Sequence, residues 1–371
     1  MEHSFSHVGI QEGKTGEIVR RIRASKKKYL MFGAGRVAKR LLQVLDNDQI
    51  VAFIDNKKAG GTLAGKEILS LAEAKQRYPQ VQILLSLKDK IIMREMEAQL
   101  QAEGLSYLTL EEFYLSFLRD CKCGGSSYYR SHQSEIDYMI DHQRVGTMAA
   151  PFYEAYADAE FPYQKEEDGL VSFLRNGKKV YLPDDIYVDL SSYIRMLFAE
   201  QDAKSPHAYF SKKHFVSPDD TFVDVGGAEA MTSLDVLDQV KSIVIFEADP
   251  VWLKALKKTF ADVRDRVTIV PQYVGAVDDA DTVRIDTYFD GVEGPLFFKA
   301  DIEGAERDFL KGAERTLNRP GTKISICTYH NIPDAEEFQQ FFQAHGYTCE
   351  FSDGYFFLNG EFLKGVLRGR K

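Results

Sequence analysis

The stretch of sequence that decides the fold is PLFFKADIEGAERDFLKGAERTL, residues 295–317. An apolar run, a glycine at position 304 and then apolar residues at helical spacing predict a buried strand, a turn and a helix. Asp301 and Glu303 fall where the strand ends. Because ligands of open α/β sheets bind beyond the carboxyl ends of the strands, this stretch also predicts where the chemistry lies.

The same alternation continues on both sides of this stretch. The apolar runs that predict strands, with helical patterns between most of them, occupy residues 221–227, 242–248, 267–275, 295–304 and 323–330. Such alternation predicts a doubly wound α/β sheet. Residues 349–366, CEFSDGYFFLNGEFLKGV, follow, and Asn359-Gly360 within them is a strong signal for a terminal antiparallel hairpin.

A second alternation occupies the first 118 residues. The apolar runs that predict the strands of a small parallel sheet are YLMFGAG (29–35), IVAFID (50–55), VQILLSL (81–87) and LSYLTL (105–110). Residues 119–215 are less regular, with a hairpin predicted at Asn176-Gly177. We therefore predict an α/β protein with two doubly wound Rossmann-like domains: a small one at 1–118, a linker and capping region at 119–215, and a larger one at 216–371.

Composition and charge narrow the classes of function. The 371 residues are 44 % hydrophobic and 28 % charged, which is ordinary for a protein with sizeable buried cores. A net charge of −9 argues against nucleic-acid binding, whose affinity rests on neutralising phosphates. No apolar stretch suits a secretory signal or a membrane span. Cys121, Cys123, Cys327 and Cys349 lack zinc-ligand spacing, so we expect reduced thiols and a cytoplasmic protein.

Acids and glycines follow three predicted strands of the larger domain. Asp224 precedes Gly226 and Gly227, and glycines let a ligand approach the backbone where a helix begins. Glu247 ends the next strand, about 20 residues later, where a carboxylate can accept ribose hydroxyls. With Asp301 after the fourth strand, these residues predict a nucleoside-cofactor site.

Four motifs of the larger domain carry a family resemblance. They are FVDVGG (222–227), IFEADP (245–250), FFKADIEGAERDFLKGAERTL (297–317) and SICTYHNIPDAEEF (325–338). Together they resemble the FkbM-type methyltransferases, which use S-adenosylmethionine, and residues 199–210 resemble a segment that precedes the core in two-domain members. The resemblance implies a class I methyltransferase-type sheet with the cofactor bound by Asp224, Gly226, Gly227, Glu247 and Asp249.

The glycine loop departs from the family pattern. The family's loop usually runs Asp-x-Gly-Ala-Asn/Asp-x-Gly, whereas residues 224–230 are DVGGAEA. Ala228 replaces the polar residue, and Ala230 replaces a glycine at a cost if its φ is positive. Glu229 brings negative charge toward the expected carboxylate of the cofactor. The alternative function is therefore a non-catalytic nucleotide-binding or assembly protein.

Methyl transfer to a hydroxyl benefits from a base, and two residues are catalytic candidates. We expect Asp301 to orient the acceptor or the cofactor. His330, after the next strand, is the candidate base or substrate-orienting group, the alternative being a strand-end histidine bonded to a carbonyl. Glu303 and Glu306 are also explained by the helix dipole. His207 is a candidate for a lid or a substrate contact.

No metal is predicted, because the acids a divalent ion would use, Asp301, Glu303 and Asp278, form no compact cluster in the sequence. The resemblance to the FkbM-type methyltransferases implies that the methyl group is accepted by a small molecule or a glycan, at a sugar hydroxyl. A homo-oligomer remains open.

The first domain carries a variant dinucleotide motif, FGAGRVAKRLL at 32–42 followed by Asp55. Gly33 and Gly35 would form the turn, Asp55 would bind a ribose and Arg36 a phosphate. Two interpretations stay open: binding of a nucleotide or nucleotide-sugar, and a scaffolding or dimerising role. An NAD-dependent enzyme is a weaker third, because no catalytic set is recognisable there.

Overall fold

The structure is a computed structural model that describes residues 16–87, 90–185 and 189–371. Packing divides these residues into two compact units, the first with residues 16–151 and 356–362 and the second with residues 152–355 and 363–371. The first unit extends past residue 118 because the helices between residues 110 and 141 pack on its core. The division into domains at residues 118 and 215 therefore stays a prediction beside these two units.

The first unit contains one sheet flanked by helices. Its strands are β1 (Tyr29–Phe32), β2 (Ile50–Ile54), β3 (Thr62–Leu63), β4 (Lys66–Leu69), β5 (Gln82–Leu85) and β6 (Tyr107–Leu108). Its helices are α1 (Glu17–Ala24), α2 (Arg36–Leu41), α3 (Leu71–Arg77), α4 (Lys90–Ala102), α5 (Leu110–Cys123), α6 (Ser127–Ser131) and α7 (Gln133–Asp141). The strand order is β3-β4-β2-β1-β5-β6, and the pairs are parallel except β3–β4. The predicted parallel strands of this part are confirmed.

The rest of the described chain adds further strands and helices. The strands are β7 (Tyr163–Lys165), β8 (Leu170–Arg175), β9 (Lys178–Pro183), β10 (Thr221–Val225), β11 (Ser242–Phe246), β12 (Val267–Val270), β13 (Tyr273–Val274), β14 (Thr282–Val283), β15 (Leu296–Ala300), β16 (Lys323–Cys327), β17 (Thr348–Phe351), β18 (Phe356–Leu358), β19 (Glu361–Leu363) and β20 (Val366–Arg370). The helices are α8 (Glu154–Ala157), α9 (Leu190–Glu200), α10 (Met231–Val236), α11 (Pro250–Thr259), α12 (Ile285–Tyr288), α13 (Glu306–Gly312), α14 (Glu314–Leu317) and α15 (Asp334–Ala344).

The main sheet of the second unit has the order β12-β11-β10-β15-β16-β20-β17. Its first five strands in this order are parallel, and β20 runs antiparallel to both of its neighbours. The chain order reverses between β10 and β15, so a crevice is expected there beyond the carboxyl ends of the strands.

Both faces of this sheet are covered, which explains why its strands are apolar throughout. Phe222 and Phe297 pack in the core on one face, whereas their chain neighbours Val223 and Phe298 pack in the core on the other. Since successive strand residues point to opposite faces, a continuous apolar run is what a doubly covered parallel strand requires.

The antiparallel ending is confirmed, but its strands differ from the predicted ones. The Asn359-Gly360 turn joins β18 to β19 as a separate ribbon, and residues 356–362 belong to the first unit. Phe357 explains this placement, because it packs edge-on against Tyr114 at 5.5 Å between ring centroids. The strand that completes the main sheet is β20. The hairpin predicted at Asn176-Gly177 is present as β8–β9, with both turn residues at positive φ.

Among the described residues, no helix combines the length and apolar character that crossing a membrane requires. The N-terminal residues 1–15, which bear on the prediction about a secretory signal, lie outside the described part. All four cysteines lie within it, and each is a free thiol.

Candidate active site

A glycine turn brings the end of β10 against the end of β15. Gly226 has a φ of 83°, and a methyl group there would lie 2.0 Å from the carbonyl oxygen of Asp301. At Gly227 a methyl group would lie 2.4 Å from Cγ2 of Ile245. Only glycine fits either position, and the close approach at Gly226 places the predicted cofactor loop beside Asp301.

The two alanines that depart from the family pattern are both in the left-handed region. Ala228 has a φ of 43° and Ala230 a φ of 52°. Ala230 precedes the first residue of α10 and is not itself helical. The φ of Ala230 is therefore positive, which is the conformation in which alanine is costly. Each of the two alanines stores about 1 kcal/mol or more of backbone strain.

Asp224 has a different surrounding from the one expected for a ligand-binding acid. Its carboxylate is fully buried, with Oδ1 at 2.9 Å from Lys299 Nζ and Oδ2 accepting a hydrogen bond from Ser233 at 2.6 Å. Lys299 also donates to the carbonyl oxygen of Gly226 at 2.6 Å. Burial lowers the pKa of Lys299, but the charges of Asp224 and Asp301 outweigh it and raise that pKa overall. Asp224 therefore stabilises the glycine turn through Lys299, which contacts both Asp224 and the carbonyl oxygen of Gly226.

Glu247 and Asp249 lie at the end of β11 beside the loop. Glu247 accepts hydrogen bonds from the backbone N–H of Ala228 at 2.9 Å and of Asp249 at 2.8 Å. Burial raises the pKa of the Glu247 carboxyl. Asp249 caps α11 by accepting from the N–H of Val251 at 2.9 Å. Glu247 thus faces the loop and its binding of a ribose stays a prediction, whereas the side chain of Asp249 is engaged as a helix cap.

Asp301 is the centre of a compact polar group that we call the Asp301 cluster. Its members are Asp301, His207, Tyr209, Cys327, Tyr329 and His330. Oδ2 of Asp301 lies 3.1 Å from Nε2 of His207 and accepts from the hydroxyl of Tyr209 at 2.8 Å. Oδ1 has longer contacts, 3.4 Å to the hydroxyl of Tyr329 and 3.6 Å to Nε2 of His330. Oδ1 is therefore the oxygen with the longer contacts, on a side chain that is 18 % exposed.

The segment that carries His207 and Tyr209 is held by hydrogen bonds to its backbone carbonyls. Ser325, on β16, donates to the carbonyl oxygen of Tyr209 at 2.7 Å. Arg368, on β20, donates to the carbonyl oxygen of Phe210 at 2.7 Å. The region predicted to cap the second domain thus supplies two fixed side chains to the site.

His330 is buried and contacts a carboxylate, not the backbone carbonyl considered as its alternative. Its Nδ1 lies 2.9 Å from Oε1 of Glu306, which is fully buried. Burial lowers the pKa of His330, but the hydrogen bond and charge of Glu306, with Asp301 and Glu303, raise it to about 9. An imidazole with this pKa is protonated at neutral pH, which favours an orienting role for His330 over that of a base.

The other cluster members have shifted pKa values with identifiable causes. Burial raises the pKa of Asp301, but the hydrogen bond to His207 and the charges of His207, Lys299 and His330 bring it well below its usual range. Burial lowers the pKa of His207, and the Asp301 hydrogen bond and Glu200 raise it above normal overall. Burial raises the pKa of Tyr209 well above its usual value. Asp301 is therefore an anion held between two imidazoles.

Two further carboxyl groups lie beside the loop and the cluster. Glu229 is near Tyr193, whose hydroxyl is 3.4 Å from its Oε2, and burial raises the pKa of Glu229 to about 7. Glu200 has Oε2 at 3.8 Å from Nδ1 of His207, and burial raises its pKa as well. Since Glu229 is partly protonated at neutral pH, its charge opposes a ligand carboxylate less than the sequence suggested.

The acids considered for a metal have separate surroundings. Glu303 is 72 % exposed, and the carboxylate of Asp278 accepts from the N–H of Arg284 and the hydroxyl of Thr287, both at 2.8 Å. Within the cluster, the potential donor atoms of His207, Asp301 and Cys327 lie within 4.8 Å of one another, as do those of Asp301, Glu306 and His330. Hydrogen bonds link these side chains to one another, and we assign no metal to them.

In the glycine turn of the first unit, the polar groups contact one another. Gly33 has a φ of 107°, and Asp55 accepts from the N–H of Ala34 at 3.4 Å. Lys58 lies 3.8 Å from Asp55 and donates to the carbonyl oxygen of Ala34 at 3.1 Å. A methyl group at Gly35 would meet nothing within 4 Å. The predicted motif residues thus form a turn whose acid has a lysine partner in the same turn.

One surface cavity lies away from the glycine turns at Gly33 and Gly226. A cavity of about 300 Å³ is lined by Lys257, Phe260, Arg264, Val267 and Ile269. These residues lie where α11 ends and β12 begins, at the amino edge of the sheet. This cavity therefore does not compete with the carboxyl edge as the candidate site.

Several site residues were not identified from the sequence. Tyr209 is two residues from His207, a spacing that places both side chains on one side of an extended segment, so this signal was available. Lys299, Cys327 and Tyr329 lie in or next to strands, where an apolar pattern gives no reason to expect a polar centre.

The sheet order, the glycine turn after β10 and the acid after β11 define the class I methyltransferase type of fold. Residues 272–349 match the family model described as the methyltransferase FkbM domain, so this part of the chain carries that domain. No curated protein sequence matches the chain.

Solved structures include more distant similarities. Methyltransferase FkbM from Methylobacillus flagellatus KT is 18 % identical, with 97 % of this chain and 94 % of that chain covered and a TM-score of 0.46. An rRNA methylase from Streptococcus thermophilus is 13 % identical over 42 % of this chain and 88 % of its own, with a TM-score of 0.30. M. jannaschii TYW2 in complex with AdoMet is 12 % identical over 56 % of this chain and 87 % of its own, with a TM-score of 0.33.

Proposed function

We propose that the protein is an S-adenosylmethionine-dependent O-methyltransferase whose acceptor is a hydroxyl of a sugar or glycan. The observation that supports it most is the contact between Gly226 and Asp301, which joins a nucleoside-type loop to a polar cluster. A methyl donor held by the loop would lie next to an acceptor held by the cluster. The FkbM domain match at 272–349 supports the same activity.

The residues at the loop fit the cofactor. Each oxygen of Glu247 accepts one backbone N–H and keeps a second lone pair, so the carboxylate can still accept ribose hydroxyls. Gly226 and Gly227 keep the backbone free of side chains there. When bound, S-adenosylmethionine supplies an electrophilic methyl group.

Asp301 is the proposed proton acceptor. Its Oδ1 would accept a hydrogen bond from the acceptor hydroxyl and then the proton, as the oxygen–carbon bond forms and the carbon–sulfur bond breaks. An alkylated hydroxyl is far more acidic than a free one, so a carboxylate of low pKa is a sufficient base. Tyr209 and His207 hold the other oxygen and so fix the direction in which Oδ1 points.

Polar aromatic side chains support a polyhydroxylated acceptor. Tyr329, His207 and His330 surround Asp301 with groups that can donate to or accept from neighbouring hydroxyls. Transfer of labelled methyl from the cofactor to a panel of glycans, with the matching deoxy sugars as controls, tests this part of the proposal. Equal labelling of a sugar and of its deoxy analogue would exclude that hydroxyl as the acceptor.

The strained alanines favour the alternative, a protein that kept the fold without binding the cofactor. Ala228 and Ala230 occupy backbone conformations that glycine would adopt without strain. Calorimetric titration of the full chain with S-adenosylmethionine and S-adenosylhomocysteine distinguishes the two functions.

We expect the wild-type chain to have dissociation constants on the order of micromolar. Glu247→Ala should raise them about tenfold or more, because two hydrogen bonds to the ribose are lost. Asp55→Ala, the matched change in the first unit, should leave both affinities unchanged. Absence of binding by the wild-type chain would exclude the enzyme and leave the alternative.

A further inference from the structure

Glu306 is a fully buried carboxylate that the proposed reaction does not use directly. It is the first residue of α13, and its Oε1 accepts from the N–H of Ile302 at 2.9 Å and contacts Nδ1 of His330 at 2.9 Å. A buried carboxylate is costly unless hydrogen bonds and a positive charge stabilise it. The imidazolium form of His330 provides both.

This contact determines which way His330 faces. Because Nδ1 is directed at Glu306, Nε2 is left facing Oδ1 of Asp301 at 3.6 Å and Oε2 of Glu303 at 3.9 Å. Carboxylates that hold the remote nitrogen of a histidine commonly fix its orientation and its protonation state.

We propose that Glu306 is a positioning residue that keeps His330 protonated, with Nε2 directed at Asp301, and so keeps Oδ1 of Asp301 ionised and oriented toward the acceptor. The catalytic part of this inference rests on the proposed methyl transfer, whereas the effect on His330 does not. Glu306 touches neither substrate nor cofactor and acts through His330.

The titratable groups that face His330 come from several elements. They are Glu306 on α13, Asp301 and Glu303 after β15, and the adjacent Tyr329, while His207 contacts the other oxygen of Asp301. Burial works against the charged imidazole, and the Glu306 hydrogen bond is the largest effect in its favour, consistent with a pKa of about 9.

A helix-start acid that serves only the helix dipole would leave His330 unaffected, so the titration of His330 tests the inference. Nuclear magnetic resonance of the full chain with labelled histidine, assigned with His330→Gln, measures the midpoint without any substrate. We expect a wild-type midpoint of about 9, and a fall of about one unit or more in Glu306→Gln. A wild-type midpoint at or below 6.5, or an unchanged midpoint in the variant, would overturn the inference.

The turnover of the variants provides a second test of the inference. Glu306→Gln should lower kcat about 10- to 100-fold with little change in KM for S-adenosylmethionine, and Glu306→Asp should recover part of the loss. Glu314→Gln, at the exposed first residue of α14, is the matched control and should change kcat less than about threefold. Equal losses in both variants would contradict the positioning role. Lack of cofactor binding by the wild type would instead refute the proposed function and leave the resonance result valid.

Discussion

At Gly33 the chain leaves β1 with a φ of 107°, and at Gly226 it leaves β10 with a φ of 83°. Each turn lies at the carboxyl end of a central parallel strand, and each has an acid from the next strand. Asp55 accepts from the N–H of Ala34 at 3.4 Å, and Glu247 accepts from the N–H of Ala228 at 2.9 Å. The two turns therefore share a glycine at positive φ and an acid that accepts a hydrogen bond from a backbone N–H of the turn.

They differ in what the neighbouring strand supplies. After β5 the first unit has Ser86, whose hydroxyl bonds to the carbonyl oxygens of Phe32 and Gly33 at 2.8 and 2.7 Å. After β15 the second unit has Asp301, within reach of two histidines and two tyrosines. A glycine-acid motif thus predicts a turn, whereas the chemistry depends on side chains from strands farther along the chain.

The largest expected effect is the loss of the proton acceptor. Asp301→Asn should lower kcat about 10³-fold, because an amide cannot take the proton, while the affinity for S-adenosylmethionine changes little. Steady-state kinetics combined with calorimetry measures both. Asp55→Asn, the matched change in the first unit, should leave kcat within about twofold, and a comparable loss there would remove the distinction between the two edges.

The glycine turns should also differ in their tolerance of a methyl group. Gly226→Ala places Cβ 2.0 Å from the carbonyl oxygen of Asp301 at a positive φ, so it should lower the free energy of unfolding by about 3 kcal/mol. Gly35→Ala meets open space at a φ of −107° and should change it by less than about 1 kcal/mol. Urea denaturation of both variants makes the comparison, and equal losses would contradict the close approach at Gly226.

The pH dependence of turnover tests the charge on His330. Because its pKa is about 9, the orienting imidazolium is present at neutral pH and is lost as pH rises through that value. We expect kcat to be level between pH 7 and 8 and to fall about tenfold per unit above pH 9. A rate that rises through the pKa of His330 would instead restore the role of base that the sequence suggested.

The smallest expected effect concerns the strained loop. Ala228→Gly should raise the free energy of unfolding by up to about 1 kcal/mol, because glycine adopts a φ of 43° without strain. Ala98→Gly, in the exposed interior of α4, should lower it by about the same amount. Thermal unfolding of the two variants gives the signs, and a loss of stability in Ala228→Gly would contradict the strain.

Much of the fold could be predicted because the residues of the core form apolar patterns that are local in the sequence. The apolar runs predict the strands, since a parallel strand covered on both faces is apolar at every position, as at Phe222 and Val223. The destination of the Asn359-Gly360 ribbon could not be predicted, because the turn signal is local and the contact of Phe357 with Tyr114 is not.

The candidate site was predictable at its strand ends and not between them. Glu247 and Asp301 follow apolar runs, so their edge of the sheet follows from the alternation. The buried pairs are Asp224 with Lys299 and Glu306 with His330, and each joins residues from different elements, which no periodicity reveals. Those pairs decide which acids support the loop and which face a ligand.

The most direct test of the account is a crystal structure of the full chain with S-adenosylhomocysteine. We predict density at the carboxyl edge of the second unit, with the ribose on Glu247 and the sulfur directed toward Asp301. Ligand density at Gly33 and Asp55, or a bound ligand that does not contact Glu247, would contradict the assignment of the active site.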